Sequence, residues 1–128
     1  MIIKSFEINK ISLNNNPFIL LYGKNEGYKN QTIANLIKNQ NITQKYDEKE
    51  IIDNPDNFLE GIYSKSLFEN KKIIIIKRAT DKIFKILSEI VAKEVNDLTI
   101  FIDADNLEKK SKLRSFFEKE KKCICIPF

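Results

Sequence analysis

The sequence predicts an α/β protein with a doubly wound, mostly parallel five-stranded sheet and helices on both faces. Short apolar runs alternate along the chain with segments in which apolar residues recur at helical spacing. The runs at 18–22 and 73–76 are apolar throughout. Such runs are typical of strands that are buried on both faces of a parallel sheet. At 128 residues, the chain is expected to form a single domain over 1–128.

The elements can be placed in chain order. The predicted strands follow a weakly alternating N-terminal segment and cover 18–22, 42–46, 73–76, 98–102 and 123–127. The helices between them have apolar faces, formed by Ile33, Leu36 and Ile37; by Phe58, Leu59, Ile62 and Tyr63; by Ile83, Ile86, Leu87 and Ile90; and by Leu113, Phe116 and Phe117. Asp53-Asn54-Pro55 and Thr80-Asp81 are helix-start signals, because both contain side chains that can cap a helix. In the first of them, proline also occupies the first helical position.

Composition and charge exclude several classes of protein. The net charge is +4, but all except Arg78 and Arg114 of the 22 basic residues are lysines interspersed with acidic residues. Arginine pairs phosphate bidentately, so this pattern does not favour a dedicated nucleic-acid module. There is no histidine, and Cys123 and Cys125 point to one face of a strand, which disfavours a zinc site or a mutual disulfide. Reduced cysteines and the lack of a signal-peptide or membrane-spanning pattern predict a cytoplasmic protein.

The loop after the first strand resembles a phosphate-binding loop in its position between a strand and a helix. A working loop needs four residues between its glycines, followed by lysine and a hydroxyl residue. Here Gly23 and Gly27 are separated by three residues, Tyr28 stands where lysine is required, and Lys29 is followed by asparagine. We therefore predict a degenerate phosphate loop (Gly23, Gly27, Lys29) that does not bind nucleotide. An active P-loop NTPase or nucleotide kinase with an atypical loop is the alternative.

The strand ends predict no catalytic or metal residues. The strand at 73–76 ends in Lys77-Arg78, where a P-loop ATPase carries an acidic residue for Mg²⁺. Asp103 and Asp105 end the following strand and could form a metal pair. Turn formation and capping of the next helix is the favoured interpretation of these two residues. We expect no cofactor and no enzymatic activity of the domain itself.

Leu67 and Phe68 lie outside any periodic apolar face, between a predicted helix and the strand at 73–76. Two hypotheses fit the pair. It either closes one end of the core or offers an exposed contact to another protein. The residues alone do not favour one hypothesis over the other.

Several segments, in the same order along the chain, resemble the N-terminal domain of the delta subunit of the bacterial DNA polymerase III clamp loader. They are Phe18-Ile19-Leu20-Leu21-Tyr22-Gly23 with Glu26-Gly27, Ser66-Leu67-Phe68 with the strand 71–76, Asp103-Ala104-Asp105-Asn106-Leu107, and Lys109-Lys110-Ser111-Lys112-Leu113-Arg114. The resemblance implies an AAA+-like P-loop fold with a degenerate nucleotide site. It also implies that the lid and collar domains of the family are absent from this chain.

The resemblance implies a binding function. Leu67 and Phe68 would insert into a hydrophobic pocket of the ring-shaped sliding clamp (the beta subunit), with Ser66 and Glu69 as neighbours, and help to open the ring for loading onto primed DNA. Lys65 departs from the family pattern, which can place an apolar residue there. Arg114 stands where related ATPase subunits carry an arginine finger, but the resemblance assigns it no such role.

Further partners also follow from the resemblance only. The gamma/tau and delta prime subunits of the clamp loader would be bound through C-terminal regions that this chain lacks, and DNA would be contacted only indirectly. The parent complex would be the DNA-directed DNA polymerase holoenzyme.

Overall fold

The structure, a computed structural model, describes residues 1–38, 43–64 and 72–128. Its strands are β1 (Phe18–Tyr22), β2 (Thr43–Asp47), β3 (Lys72–Ala79), β4 (Leu98–Ala104) and β5 (Cys123–Pro127). They form one sheet in the order β2-β3-β4-β1-β5, and every neighbouring pair is parallel. The predicted five-stranded parallel α/β fold is confirmed.

Helices cover both faces of the sheet. They are α1 (Glu26–Ile37), α2 (Glu48–Asp53), α3 (Pro55–Tyr63), α4 (Phe84–Ala92) and α5 (Lys112–Lys119), with 3₁₀ helices at Ser5–Lys10 and Asp81–Ile83. The core on one face includes buried residues of α2 to α5. The core on the other face includes Ile33 of α1 and residues of the N-terminal segment. None of the helices in the described part of the chain has the length and apolar character that crossing a membrane requires.

The alternation of strand side chains divides β3 between the two cores. Ile74 and Ile76 belong to the α2–α5 core, whereas Ile73 and Ile75 belong to the α1 core. All four are at most 4% exposed, which confirms that this strand is buried on both faces. Because the side chains of a strand alternate with a period of two, Lys77, which follows Ile76, faces α1 like Ile73 and Ile75.

Caps predicted from the sequence form as expected at α3 and α4. Asn54 Oδ1 accepts a hydrogen bond from the Asn57 backbone amide, with Pro55 at the first helical position. The Thr80 hydroxyl accepts one from the Lys82 amide and starts the 3₁₀ helix that leads into α4. Both capping side chains relieve backbone N–H groups that have no partner within the helix.

Three details differ from the prediction. The N-terminal segment is mainly a 3₁₀ helix, and only Ile2 forms an isolated bridge to β5. α2 was not predicted, because six residues are too few to display a helical period. It is fixed by Glu48, whose buried carboxylate accepts hydrogen bonds from the Thr80 backbone amide at 2.8 Å and from its hydroxyl. Phe116 is half-buried at the edge of the core, whereas Leu113 and Phe117 are fully buried as predicted.

Candidate functional site

The degenerate phosphate loop connects β1 to α1 at the carboxyl end of the sheet. Gly23 has a φ of +129°, and its amide donates to the carbonyls of Ala104 and Asp105 at 3.3 and 3.2 Å. A Cβ atom on Gly23 would lie 2.1 Å from the carbonyl oxygen of Phe128, so only glycine fits this close approach. Gly27 lies in the first turn of α1, where an added Cβ atom would be in ordinary contact with the Asn25 side-chain oxygen at 3.9 Å. The loop is therefore packed against the residue that follows β5.

Lys29 is buried under this loop, and all of its donors are occupied. Its ammonium lies 2.7 Å from Asp103 Oδ1 and 3.1 Å from Glu26 Oε2, and donates to the Ala104 carbonyl oxygen at 2.8 Å. The residue is 1% exposed. An ammonium group has three N–H donors. Since three acceptors already surround it, Lys29 is not presented to a phosphate group.

Lys77 approaches the same carboxylate from the neighbouring strand. Its ammonium lies 2.9 Å from Asp103 Oδ2 and 3.4 Å from Glu26 Oε1, and also donates to the Asn30 side-chain oxygen. Lys29 and Lys77 therefore bind one oxygen each of the buried Asp103 carboxylate. We call Glu26, Lys29, Lys77 and Asp103 the ion cluster.

Contacts within the ion cluster shift the pKa values of Glu26 and Lys29 in the direction that favours their charged forms. A hydrogen bond with the Asp103 carboxyl lowers the pKa of Glu26 to about 2, partial burial opposes this shift, and the two lysines add to it. Burial lowers the pKa of Lys29, but its hydrogen bonds to Asp103 and Glu26 outweigh burial and hold that pKa above its usual value. Counted as two carboxylates and two ammonium groups, the four side chains have no net formal charge.

Asp103 does not have the turn or capping role that was predicted for it, whereas Asp105 stands in the bend after β4. Asp103 lies within β4 and is neither a turn residue nor a helix cap, while Asp105 is exposed in the following loop. α5 is instead capped by Ser111, whose hydroxyl accepts from the Arg114 amide at 3.2 Å. Both carboxylate oxygens of Asp103 are paired with lysines, so a metal ion would have to displace these lysines. Within the described ranges, no three acidic, histidine or cysteine side chains are grouped to hold a metal ion.

Arg114 is held against the protein itself. Its guanidinium donates to the Leu107 carbonyl oxygen at 2.9 Å and pairs with Glu118 at 3.3 Å. The same group lies over the Tyr22 ring, 4.9 Å from its centroid. These contacts give Arg114 a structural role in joining α5 to β1.

The predicted clamp-binding residues Ser66, Leu67, Phe68 and Glu69 lie outside the described residues, so their placement is not tested. The residues on either side are described. The Lys72 ammonium donates to the carbonyl oxygens of Gly61 and Ser64 in the last turn of α3 and just beyond it. This contact links the start of β3 to the end of α3, and thus links the two flanks of the segment 65–71.

The ion cluster was not predicted from the sequence, although part of it is visible there. Lys77 and Asp103 follow apolar runs in neighbouring strands, and each comes one position after a residue of the α2–α5 core. Period-two alternation therefore assigns both to the α1 face, with opposite charges at adjacent strand ends. The partner Lys29 could not be found this way, because its position depends on how α1 packs on the sheet.

Comparisons with known proteins agree with this fold. No protein-family model matches the sequence, and no curated protein matches it significantly. Among solved structures, that of the Bacillus subtilis DNA clamp loader delta protein (YqeN) is similar, with a TM-score of 0.70 and 16% sequence identity. The alignment covers 97% of this chain and 42% of that chain, so the present chain spans less than half the length of the delta protein. The chain therefore has the fold of the N-terminal portion of that clamp loader delta protein.

Proposed function

We propose that this chain is a non-catalytic clamp-loader domain that binds a sliding clamp through Leu67 and Phe68 and helps to open the ring. The observation that carries the proposal is the shared fold with a clamp loader delta protein over 97% of the chain. The sequence segments that resemble the delta subunit, and their order along the chain, support the same function. Cytoplasmic localisation and a place in the replicative polymerase assembly belong to this proposal.

The ion cluster supports a binding role over a nucleotide-driven one. In a P-loop ATPase, a lysine and a metal ion neutralise the phosphates of the nucleotide. Here Lys29 is bound to Asp103, Glu26 and a backbone carbonyl, and Lys77 lies beside Asp103. An atypical but active NTPase would have to break these contacts to admit a triphosphate.

The position of Leu67 and Phe68 in the chain supports their assignment as the clamp contact. They belong to a short segment whose flanks, Ser64 and Lys72, are joined by a hydrogen bond at 3.4 Å. Burial of a large apolar side chain contributes roughly 1.5–3 kcal/mol. Two such side chains in one pocket are sufficient for an energetic hot spot of a protein interface.

Opening of the ring follows from differential affinity. A bound domain shifts the clamp towards an open ring only by the free energy with which it prefers that state. No chemical step by this domain is needed. ATP would act in neighbouring subunits of the loader (gamma/tau, with delta prime completing the assembly).

The test is a titration of this chain against the sliding clamp from the same organism. We expect the double variant Leu67→Ala/Phe68→Ala to weaken binding by two orders of magnitude or more, since about 1.4 kcal/mol corresponds to each tenfold change. Substitution of Ser66 or Glu69 should have smaller effects. Phe6→Ala is the matched control, because it removes an aromatic ring that is 80% exposed elsewhere on the chain. Equal affinity of the double variant and the wild type would refute the proposal.

Two further titrations separate the alternatives. Micromolar binding of Mg²⁺-ATP in calorimetry would favour the NTPase or nucleotide kinase. Tight binding of duplex DNA that weakens steeply with salt would favour a nucleic-acid module. We expect neither.

A further inference from the structure

Three side-chain oxygens from two elements converge on the ammonium of Lys77. Asp103 Oδ2 of β4 lies at 2.9 Å and Glu26 Oε1 of α1 at 3.4 Å, and the Asn30 side-chain oxygen of α1 also accepts from it. Lys77 itself belongs to β3. Its ammonium therefore ties two strands and one helix together at the carboxyl end of the sheet.

The backbone around Lys77 is irregular in a way that holds this arrangement. The register of β3 against β4 shifts between Ile76 and Ala79, and Arg78 within this bulge has a φ of +54°. The Arg78 guanidinium pairs with Asp47 at the end of β2. Bulges re-aim side chains at the ends of strands. Arg78 is thus directed to β2, while Lys77 is directed to α1 and β4.

The charge balance of the ion cluster depends on Lys77. Glu26 and Asp103 contribute two negative charges, and Lys29 compensates only one of them. The Asp103 side chain is 3% exposed, and among the described residues its second oxygen is paired only through Lys77, whereas the Glu26 side chain is 57% exposed and is also reached by water. Lys77 supplies the missing positive charge from within the chain.

We propose that Lys77 is a built-in counter-cation that locks the carboxyl end of the sheet in one ligand-independent state. Its ammonium provides the neutralisation that a bound cation would otherwise provide between α1, β3 and β4. The lock does not depend on clamp binding, because it involves only the ion cluster and Asn30.

The experiment compares thermal unfolding of the wild type, Lys77→Ala, Lys77→Gln and Lys77→Arg in EDTA and in millimolar Mg²⁺ or Ca²⁺, at matched ionic strength. The wild type should melt at the same temperature in all solutions, and addition of ATP to the Mg²⁺ sample should not change it. Lys77→Ala should melt several degrees lower in EDTA and recover at least half of that loss with a divalent cation. Lys77→Arg should resemble the wild type. Lys82→Ala removes an exposed lysine of the 3₁₀ helix Asp81–Ile83 as a matched control and should show no ion response.

The proposal is overturned if Lys77→Ala is as stable as the wild type, or if divalent cations do not stabilise it more than the wild type. If Lys77→Ala does not fold in EDTA, the neutral and less severe Lys77→Gln is measured in its place against the same criteria. Loss of clamp binding by the Leu67→Ala/Phe68→Ala variant is a separate result and leaves the interpretation of these measurements unchanged.

Discussion

Substitution of Asp103 by asparagine tests how strongly the ion cluster holds the domain together. The change keeps the shape of the side chain and removes the charge that pairs with Lys29 at 2.7 Å and with Lys77 at 2.9 Å. Removing one member of a buried ion pair costs about 3–5 kcal/mol. Both lysines retain Glu26 as a partner, at 3.1 and 3.4 Å. We therefore expect the lower end of the range, a loss of about 3 kcal/mol in the free energy of unfolding.

The assay is equilibrium unfolding in urea followed by far-UV circular dichroism. A loss of this size lowers the melting temperature by about 10 °C in a domain of this length. Asp105→Asn is the matched control, because it makes the same chemical change two positions later on an exposed side chain. The double variant Asp103→Asn/Lys29→Met should be more stable than Asp103→Asn alone, since it also removes the buried charge that the single change leaves uncompensated. The reasoning is refuted if Asp103→Asn is no less stable than Asp105→Asn.

Three further predictions concern other parts of the fold. Gly23→Ala should destabilise the domain in urea unfolding because of the close carbonyl behind it, whereas Gly61→Ala, in open space within α3, should stabilise it by about 0.5–1 kcal/mol. Because folding lowers the pKa of Glu26, this residue stabilises the domain at a pH above the pKa of the unfolded chain, near 4.5, and the contribution is lost as the pH falls towards 2. Glu26→Gln should therefore make the free energy of unfolding less dependent on pH over this interval. Burial raises the pKa of the Cys123 and Cys125 thiols to about 12, so a thiol reagent should label them only at the rate of unfolding.

The sheet could be predicted because its strands carry strong local signals. Ile73–Ile76 is apolar throughout, and Leu98–Ile102 is apolar except for the strand-favouring Thr99. The helix starts at Asn54 and Thr80 carry their own caps. Such signals depend only on neighbouring residues. The same reasoning did not identify α2, although its start carries a capping box in which the Glu50 side chain accepts from the Asp47 amide at 3.1 Å. Six residues are too few to show a helical period, and the hydrogen bond from the Thr80 amide to Glu48 depends on the tertiary fold.

The departure of the loop from the phosphate-binding pattern is visible in its spacing, but the packing of Lys29 beneath the loop is not. The sequence shows that Lys29 is displaced from the required position. It does not show that Lys29 is buried against Asp103, 74 positions further along the chain, or that Phe128 lies against Gly23. Both contacts depend on the packing of distant elements. The charged residues at the strand ends therefore suggested a metal pair or a turn, although the structure pairs Asp103 with two lysines.

The ion cluster and the proposed clamp contact should act independently, because the ion cluster forms at the carboxyl end of β3, whereas Leu67 and Phe68 precede the first residue of that strand in the sequence. The segment 65–71 immediately precedes Lys72 at the start of this strand, and Lys77 lies five residues further along it, which corresponds to about 16 Å. Substitutions separated by more than about 10 Å without shared partners have additive effects. Lys77→Ala should therefore leave clamp affinity within about threefold of the wild type, less than 1 kcal/mol. It should also destabilise the wild type and the Leu67→Ala/Phe68→Ala variant equally. A folded Lys77→Ala protein that binds the clamp more than tenfold more weakly would instead mean that β3 transmits the state of the ion cluster to the clamp contact.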